Sequence, residues 1–518
     1  MHTTRFLLAA CFATALHAAG AGNPNIVLIL ADDLGYGDLG CYGATQVKTP
    51  RIDSLAAAGR RFTDAHSASA VCSPSRYGLL TGSYPLRRNL WGPTPTWTQK
   101  LTIDTHTLTL ASLLKESGYA TACIGKWHLG LGDPKPDWNG VLKTGPLELG
   151  FDHFFGNPGV NSYPPFVYVE NHRVVGLDPG DPLVPGKPSP FIRKFPEKGI
   201  GNIGGADEAH RLYDDEKVGS TLREKSIEWI KQQKSGRPFF LYLATTHIHH
   251  PFTPAERFIG TSGCGLYGDF IHELDWIVGG VLDALEETGS AGNTLVILTS
   301  DNGGMLNVTG QKAWQSGHRI NGDLQGFKFG AWEGGHRVPF LAKWPGRIPP
   351  GTSSGQLLNH VDLIATFAAV TRRELKEGKG IDSINQLESL TGNPAKPPRE
   401  SMVIIPNSPR HLALRKGSWV YIPAQGAGGF QGQKPGDHLF SDAAALPFTG
   451  GTHSDHDNGR LRPGAPPAQL YNLETDPGQQ RNVFADHPDV VRELDGELDH
   501  YRKAIPGTKP VGWINLKP

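Results

Sequence analysis

The segment Asn25-Ile26-Val27-Leu28-Ile29-Leu30-Ala31-Asp32-Asp33 decides the fold. Its first seven residues are an apolar, partly β-branched run of strand length with no polar alternation. A strand that is apolar on both faces must be covered on both, the condition of a parallel sheet between two helical layers. Phe239 to Ala244 (FFLYLA) and Thr294 to Thr299 (TLVILT) repeat the pattern, and a shorter run spans Tyr119 to Ile124. Helical patterns lie between them. Thr49-Pro50 opens one through Leu55 to Ala58, closed by Gly59; Ser73-Pro74 begins another that carries Arg76 to Leu80. Others run over Thr107 to Ser117, about Asp214 to Gln233 with Val218, Leu222, Trp229 and Ile230 near one face, and Phe270 to Glu287. Thr49 and Ser73 are expected N-caps, each followed by a proline suited to a first turn. The alternation predicts an α/β fold with a mostly parallel, doubly wound sheet flanked by helices.

Outward from these elements the character changes twice. Asp133 to Gly205, rich in Pro and Gly, reads as a long surface excursion. After about residue 395, His411 to Leu414 and Trp419 to Ile422 read as short strands, Gly426 to Pro466 as a polar glycine-rich loop, and Pro488 to Lys503 as a helix. The expected division is a signal peptide over 1–21, an α/β domain over 22–395 and a smaller α+β subdomain over 396–518. In the first segment Arg5 is the positive end, Phe6 to Leu16 the apolar core and Ala19-Gly20-Ala21 the cleavage site. Leu8-Ala9-Ala10-Cys11 resembles a lipoprotein acylation site, but only Phe6 to Leu8 precede it as apolar core, so cleavage near Ala21 is expected. The mature protein is thereby exported, periplasmic or secreted.

Bulk composition narrows the function classes. A chain of 518 residues exceeds what one hydrophobic core usually serves. Lys and Arg number 50 against 50 Asp and Glu. A chain that grips nucleic acid shows a basic excess, so that partner is excluded. No later apolar run is long enough to span a bilayer, so stable membrane insertion is not expected. Five cysteines are too few for a disulfide scaffold.

In an open parallel sheet, ligands bind beyond the C-terminal strand ends. Four such ends carry polar clusters: Asp32-Asp33, Gly125-Lys126-Trp127-His128, His247 with His249 and His250, and Asp301-Asn302-Gly303-Gly304. One cluster alone reads equally well as a cap or turn; four at converging ends read as a site. Asp32, Asp33, Asp301 and Asn302 are hard oxygen donors, suited to one Ca²⁺ or Mg²⁺ rather than Zn²⁺. Val71-Cys72-Ser73-Pro74-Ser75-Arg76 sets a cysteine at a helix N-terminus, which favours an anion, with a cation one turn on.

Cys72-Ser73-Pro74-Ser75-Arg76-Tyr77-Gly78-Leu79-Leu80-Thr81-Gly82 resembles the C-x-P-x-R maturation signature of the type I, formylglycine-dependent sulfatases, of the arylsulfatase and N-acetylgalactosamine-6-sulfatase kind. Ala31 to Asp38, Gly125 to Gly130, Ser300 to Gly303, Lys328 with Trp332-Glu333-Gly334-Gly335, and Leu470 to Pro477 follow the same family's order, so the likeness spans about Asn25 to Tyr501. It implies an alkaline-phosphatase-like fold and removal of sulfate from a sulfated carbohydrate. It also implies that Cys72 is oxidised to formylglycine (3-oxoalanine) by a formylglycine-generating or anaerobic sulfatase-maturating enzyme. The hydrated aldehyde attacks sulfur with one hydroxyl, and its second hydroxyl expels sulfate, an exit that plain Ser or Cys lacks.

The family pattern further implies one Ca²⁺ per chain held by Asp32, Asp33, Asp301 and Asn302 with the residue at 72. Arg76 steadies the hydrate, Lys126 and Lys328 neutralise sulfate charge, and His128 accepts the hydrate proton. The leaving-group acid matches His249 by its spacing to Pro251, with His247 and His250 close enough to compete. Asn161 and Ser162, after Phe154-Phe155-Gly156, and His318 and Arg319, within the Gln315 to Gln325 stretch, are candidate substrate contacts. Trp91 and Trp97 are candidate sugar-stacking rings, with loop packing the equal alternative. The rivals are a phosphodiesterase or phosphonate monoester hydrolase of the same superfold, a small-molecule arylsulfatase, and an inactive sulfate-binding protein.

Overall fold

A computed structural model describes residues 22–188, 203–512 and 514. The expected signal peptide and Cys11, and residues 189–202 of the expected excursion, lie outside the described residues. In chain order the main sheet takes β1 (Asn25–Ala31), β2 (Arg60–Phe62), β3 (Ala120–Gly125), β4 (His153–Gly156), β5 (Val169–Glu170), β6 (Arg173–Val174), β7 (Phe239–Ala244), β8 (Thr294–Ser300), β9 (Phe340–Lys343) and β10 (Thr352–Ser354). Across the sheet they lie in the order β10-β2-β9-β8-β1-β7-β3-β4-β5-β6. The central strands β8, β1, β7, β3 and β4 are mutually parallel, and antiparallel partners are confined to the flanks. This is the mostly parallel sheet that the apolar runs predict.

The lack of polar alternation in β1 has its physical reason here. Ile26, Leu28 and Leu30 enter one core and Val27, Ile29 and Ala31 the other. The first core is covered by α2 (Cys72–Thr81), α3 (Leu110–Glu116) and α7 (Leu363–Val370). The second is covered by α1 (Pro50–Ala57), α4 (Val218–Lys231) and α5 (Leu266–Glu287). Helix α6 (Val308–Gln315) follows β8. Val218, Leu222, Trp229 and Ile230 of α4 are buried together.

A second, antiparallel sheet comprises β11 (Ser401–Ile404), β12 (Ala413–Lys416), β13 (Trp419–Ile422) and β14 (Gln469–Asn472). Helix α8 (Pro488–Lys503) covers one face through Leu494 and Leu498, and Ala331 and Trp332 close the other. The two sheets are joined by charge. Arg415 of β12 grips Asp64 with two donors, at 2.6 and 2.8 Å. Arg337 bonds the Thr63 carbonyl and Glu333.

Three expectations are corrected. Thr49 does not cap α1 with its side chain, because its hydroxyl accepts from Gly40 N and donates to Asp53. Ser73 does not cap α2: Val71 holds that position without a side-chain bond, and Cys72 is already helical. The Asp133 to Gly205 excursion contributes β4, β5 and β6, and Phe151, Phe154, Val167 and Val169 pack in the core.

The joint between the sheets also holds two buried imidazoles, His66 and His336, whose Nδ1 atoms lie 3.0 Å apart. Burial pushes His336 down to about 3, with Glu333 opposing and His66 assisting. In the unfolded chain this ring titrates near its ordinary 6.5. Protons therefore favour the unfolded chain between those values: the contribution is whole above about pH 6.5 and is lost as pH falls toward 3. The urea midpoint should drop on acidification through this window. His336→Gln should flatten that dependence by up to about 1.4 kcal/mol per pH unit; an unchanged slope would acquit the ring.

Candidate active site

The four polar clusters sit at the C-terminal ends of β1, β3, β7 and β8, neighbours in the sheet. Each chain turn is fixed locally. After β3, Gly125 adopts φ +111°, and a Cβ there would lie 1.9 Å from the Ala244 carbonyl, so only glycine lets the strand turn and deliver Lys126. Asp33, His128 and Phe329 are held in the left-handed region, at φ +61°, +57° and +81°. Such backbone costs energy and persists only where its surroundings enforce it. Asp32 is clamped by its own main chain, donating to the His247 carbonyl at 2.7 Å and accepting from Ile248 N at 2.5 Å.

Three buried carboxylates meet three buried cations here. Lys126 Nζ donates to Asp32 Oδ2 at 2.6 Å, and Lys328 Nζ to Asp33 Oδ1 at 2.5 Å. Arg76 donates from Nε to Asp301 Oδ2 at 2.9 Å, sets Nη2 2.8 Å from the same oxygen as an ion-pair contact, and donates to the Lys126 carbonyl at 3.1 Å. Cys72 Sγ accepts from Lys328 Nζ at 2.9 Å and lies 3.7 and 3.9 Å from Asp32 Oδ1 and Asp33 Oδ1. Helix α2 is tied to the Lys126–His128 segment through Ser73. Its hydroxyl accepts from Thr94 N at 3.0 Å, and Thr94 Oγ1 donates to the His128 carbonyl at 2.9 Å.

The electrostatics follow from burial against pairing. Burial pushes the Cys72 thiol up to about 12, with Lys126 and Lys328 pulling against it. Burial and the Asp32 charge raise Asp301. For Lys328 burial is outweighed only by the summed charges around it, led by Asp33, and for Arg76 by those led by Asp301, so both are held above their ordinary ranges. His128 and His249 are driven well below theirs, by burial first and then by neighbouring positive charge.

The donor set fits a hard divalent cation. Ligand atoms of Asp32, Asp33, Cys72 and Asp301 lie within 4.8 Å of one another. Asp33 Oδ2 and Asn302 Oδ1 are buried with no hydrogen-bond partner. Oxygens in that state suit Ca²⁺ better than Zn²⁺.

His249 belongs to this cluster, with Nε2 4.0 Å from Asp33 Oδ2 and Nδ1 2.6 Å from the His250 carbonyl. His247 points elsewhere, against Phe270 and toward Glu273. The His250 ring stacks on His249, and its Nε2 lies 3.1 Å from His438 Nε2. Asn161 donates weakly to the carbonyls of His249 and Pro251, and its Oδ1 and Ser162 Oγ are buried without partners.

Two of the other candidates are engaged in packing. His318 Nε2 bonds Asp38 at 2.7 Å, and that carboxylate also accepts from Gly35 N and Tyr267 Oη. Arg319 lies over Trp314. Trp91 is wholly buried with its indole N–H on Asn89 Oδ1, so it stacks on no sugar; Trp97 stacks on Trp138. Sequence reading missed Tyr163, whose hydroxyl lies 2.8 Å from His128 Nε2, along with Thr94 and His438. Only a three-dimensional contact marks these.

A family model described as Sulfatase matches residues 24–372. An N-acetylgalactosamine-6-O-sulfatase from Bacteroides thetaiotaomicron is 38% identical over 504 residues, covering 92% of each chain. Human arylsulfatase A is 32% identical over 499 residues, covering 93% of this chain and 88% of its own. A solved structure from a study of the metabolism of multiple glycosaminoglycans by Bacteroides thetaiotaomicron superposes with a TM-score of 0.81 at 36% identity, covering 93% of this chain and 99% of that one. The chain belongs to the sulfatase family, and it is a sulfuric ester hydrolase.

Proposed function

We propose that the protein removes sulfate from a sulfated saccharide, with formylglycine at position 72 and Ca²⁺ held by Asp32, Asp33, Asp301 and Asn302. The observation that carries this reading is the position of Cys72. A thiol pushed up to about 12 is a poor nucleophile, yet it sits 2.9 Å from Lys328 Nζ at the first turn of a helix, where an anion is favoured. The relatives supply the substrate class, and an N-acetylgalactosamine 6-sulfate is the first substrate to assay. A maturating enzyme and an exported location, periplasmic or secreted, belong to the same proposal. When present, the aldehyde hydrate supplies the nucleophilic hydroxyl, and the cation supplies charge for a sulfate oxygen.

The chain's own groups do the rest. Lys126 and Lys328, fixed by Asp32 and Asp33, neutralise the ester oxygens as charge develops on them. Arg76, locked on Asp301, holds the first turn of α2 against the strand ends. His128, held low by burial and three cations, is a neutral ring able to take a proton. His249 has Nδ1 committed to the His250 carbonyl, so Nε2 is the atom that carries a proton to the leaving oxygen. Asn161 and Ser162 line its side of the site as candidate contacts to the sugar.

Three outcomes test this reading. Protein from a host with the maturation machinery should yield a tryptic peptide in which residue 72 lacks its thiol. Full activity with Cys72 still alkylatable would end the proposal. Elemental analysis of that protein should find one Ca²⁺ per chain, and Asp301→Ala should lose metal and turnover together; stoichiometric zinc without calcium would contradict the ligand set. His249→Ala should lose about 10²- to 10⁴-fold in kcat on a sulfated sugar but far less on 4-nitrophenyl sulfate, because an acid matters most for a poor leaving group. Equal losses on both would make His249 a binding residue.

A further inference from the structure

The glycine-rich segment after β13 encloses a cavity of about 370 Å³, lined among others by Gln425, Gly426, Phe430, Asp442, His456 and Gly459. No catalytic group described above lines it. Its volume falls in the range of small-ligand sites, which are recognised by a few well-held polar atoms. Two such atoms are defined by their neighbours.

The first is a carboxylate oxygen. Asp442 Oδ1 accepts from Ala427 N at 2.8 Å and Ala443 N at 2.6 Å, whereas Oδ2 is buried with no partner. A Cβ on Gly426 would lie 3.3 Å from Oδ1 and 3.8 Å from Oδ2, so a side chain there would crowd the carboxylate. Asp442 itself is held at φ +61°, a conformation that costs energy and is imposed by its surroundings.

The second is a ring nitrogen whose tautomer is fixed by a chain of bonds. Gln469 Nε2 donates to the carbonyls of Ala424 and Gly426, so Gln469 Oε1 is the acceptor for Trp332 Nε1 and for Tyr471 Oη at 2.5 Å. With its proton given away, Tyr471 Oη accepts from His453 Nε2 at 2.6 Å. His453 Nδ1 is then a lone pair. It accepts from Asp455 N at 3.0 Å and from His456 Nδ1 at 3.2 Å. His456 Nε2 is therefore an acceptor too. The cavity lining thus includes two acceptor side chains, Asp442 and His456, one of them a carboxylate, and suits a ligand rich in O–H donors and without negative charge.

We infer that this cavity is an accessory saccharide subsite that takes an unsulfated sugar unit through Asp442 and His456. The inference rests on the saccharide reading above and extends it, since it sets a second sugar contact beside the catalytic groups. The same segment runs on to the active site. Phe430 packs edge-on against Phe329, next to Lys328, with ring centroids 4.7 Å apart. Gln311 of α6 pins Gly436 and Asp437, which sets His438 on His250. The carboxylate repels a sulfated unit, so the sulfate-bearing sugar is left to the catalytic cluster.

Saturation-transfer difference NMR of the full chain with lactose and with N-acetylgalactosamine, both uncharged, reads the subsite directly. Binding should persist in excess inorganic sulfate. It should weaken about tenfold in Asp442→Asn, which keeps the Oδ1 acceptor but turns Oδ2 into a donor. Ala444→Trp, which fills the cavity, should abolish it and decides the matter if Asp442→Asn does not fold. No signal from the wild type, displacement by sulfate, or undiminished binding by both variants would overturn the subsite. Desulfation assays on the same preparations separate the two readings. Hydrolysis of sulfated sugars without neutral-sugar binding removes the subsite alone, and binding without hydrolysis upholds the subsite while removing the substrate proposal.

Discussion

Three carboxylates, Asp32, Asp33 and Asp301, are buried at one point, and the rest of the molecule is arranged around making that tolerable. An ion taken out of water costs several kcal/mol even after relaxation, and only well-placed opposite charge and hydrogen bonds offset it. Arg76, Lys126 and Lys328 come from three distant parts of the chain to do so. The parallel strands β8, β1, β7 and β3 bring the loops to one end of the sheet. Helix α2 brings Arg76 over that end, and the segment before Glu333 brings Lys328. Removing one cation leaves a buried carboxylate unpaired, so these contacts act as one unit rather than as separable pairs.

The same constraint explains why the strands were legible from sequence and their surroundings less so. NIVLILA, FFLYLA and TLVILT announce strands buried on both faces, and the two cores take their side chains alternately. Caps carry a weaker signal. Thr49 and Ser73 are residue types that cap helices, but here tertiary partners, Gly40 and Asp53 for one and Thr94 for the other, claim their hydroxyls. The Pro- and Gly-rich stretch after Asp133 hid β4 to β6 because four- and two-residue strands are too short to show a period.

Within the site, residues that follow strands or open α2 could be found because chain position alone puts them at the sheet's end. His318 and Arg319 are held by contacts that chain position does not announce. Their segment does run beside the site, but it packs on Gly35 and Gly37, and His318 is drawn to Asp38 by a buried hydrogen bond. Polar residues in a loop near a site satisfy buried acceptors as often as they meet ligands. Tyr163, Thr94 and His438 reach the centre from irregular segments, where no periodicity marks a direction.

The protonation of the site is a consequence of its charge balance. His128 and His249 are buried beside these ion pairs, and burial first and neighbouring positive charge second drive both rings well below the ordinary imidazole range. A neutral ring is compatible with the acceptor role proposed for His128 and opposes the donor role proposed for His249. The missing charge arrives with the reactant. In the proposed reaction a sulfate ester would set its negative oxygens against Lys126 and Lys328, where they would oppose the cations that help to depress His249. On that proposal, proton uptake at Nε2 would be favoured by an anion in the site and not by a neutral ligand of the same shape. Selectivity for sulfate esters over neutral esters would then depend on the state of the proposed acid as well as on the fit of the oxyanion.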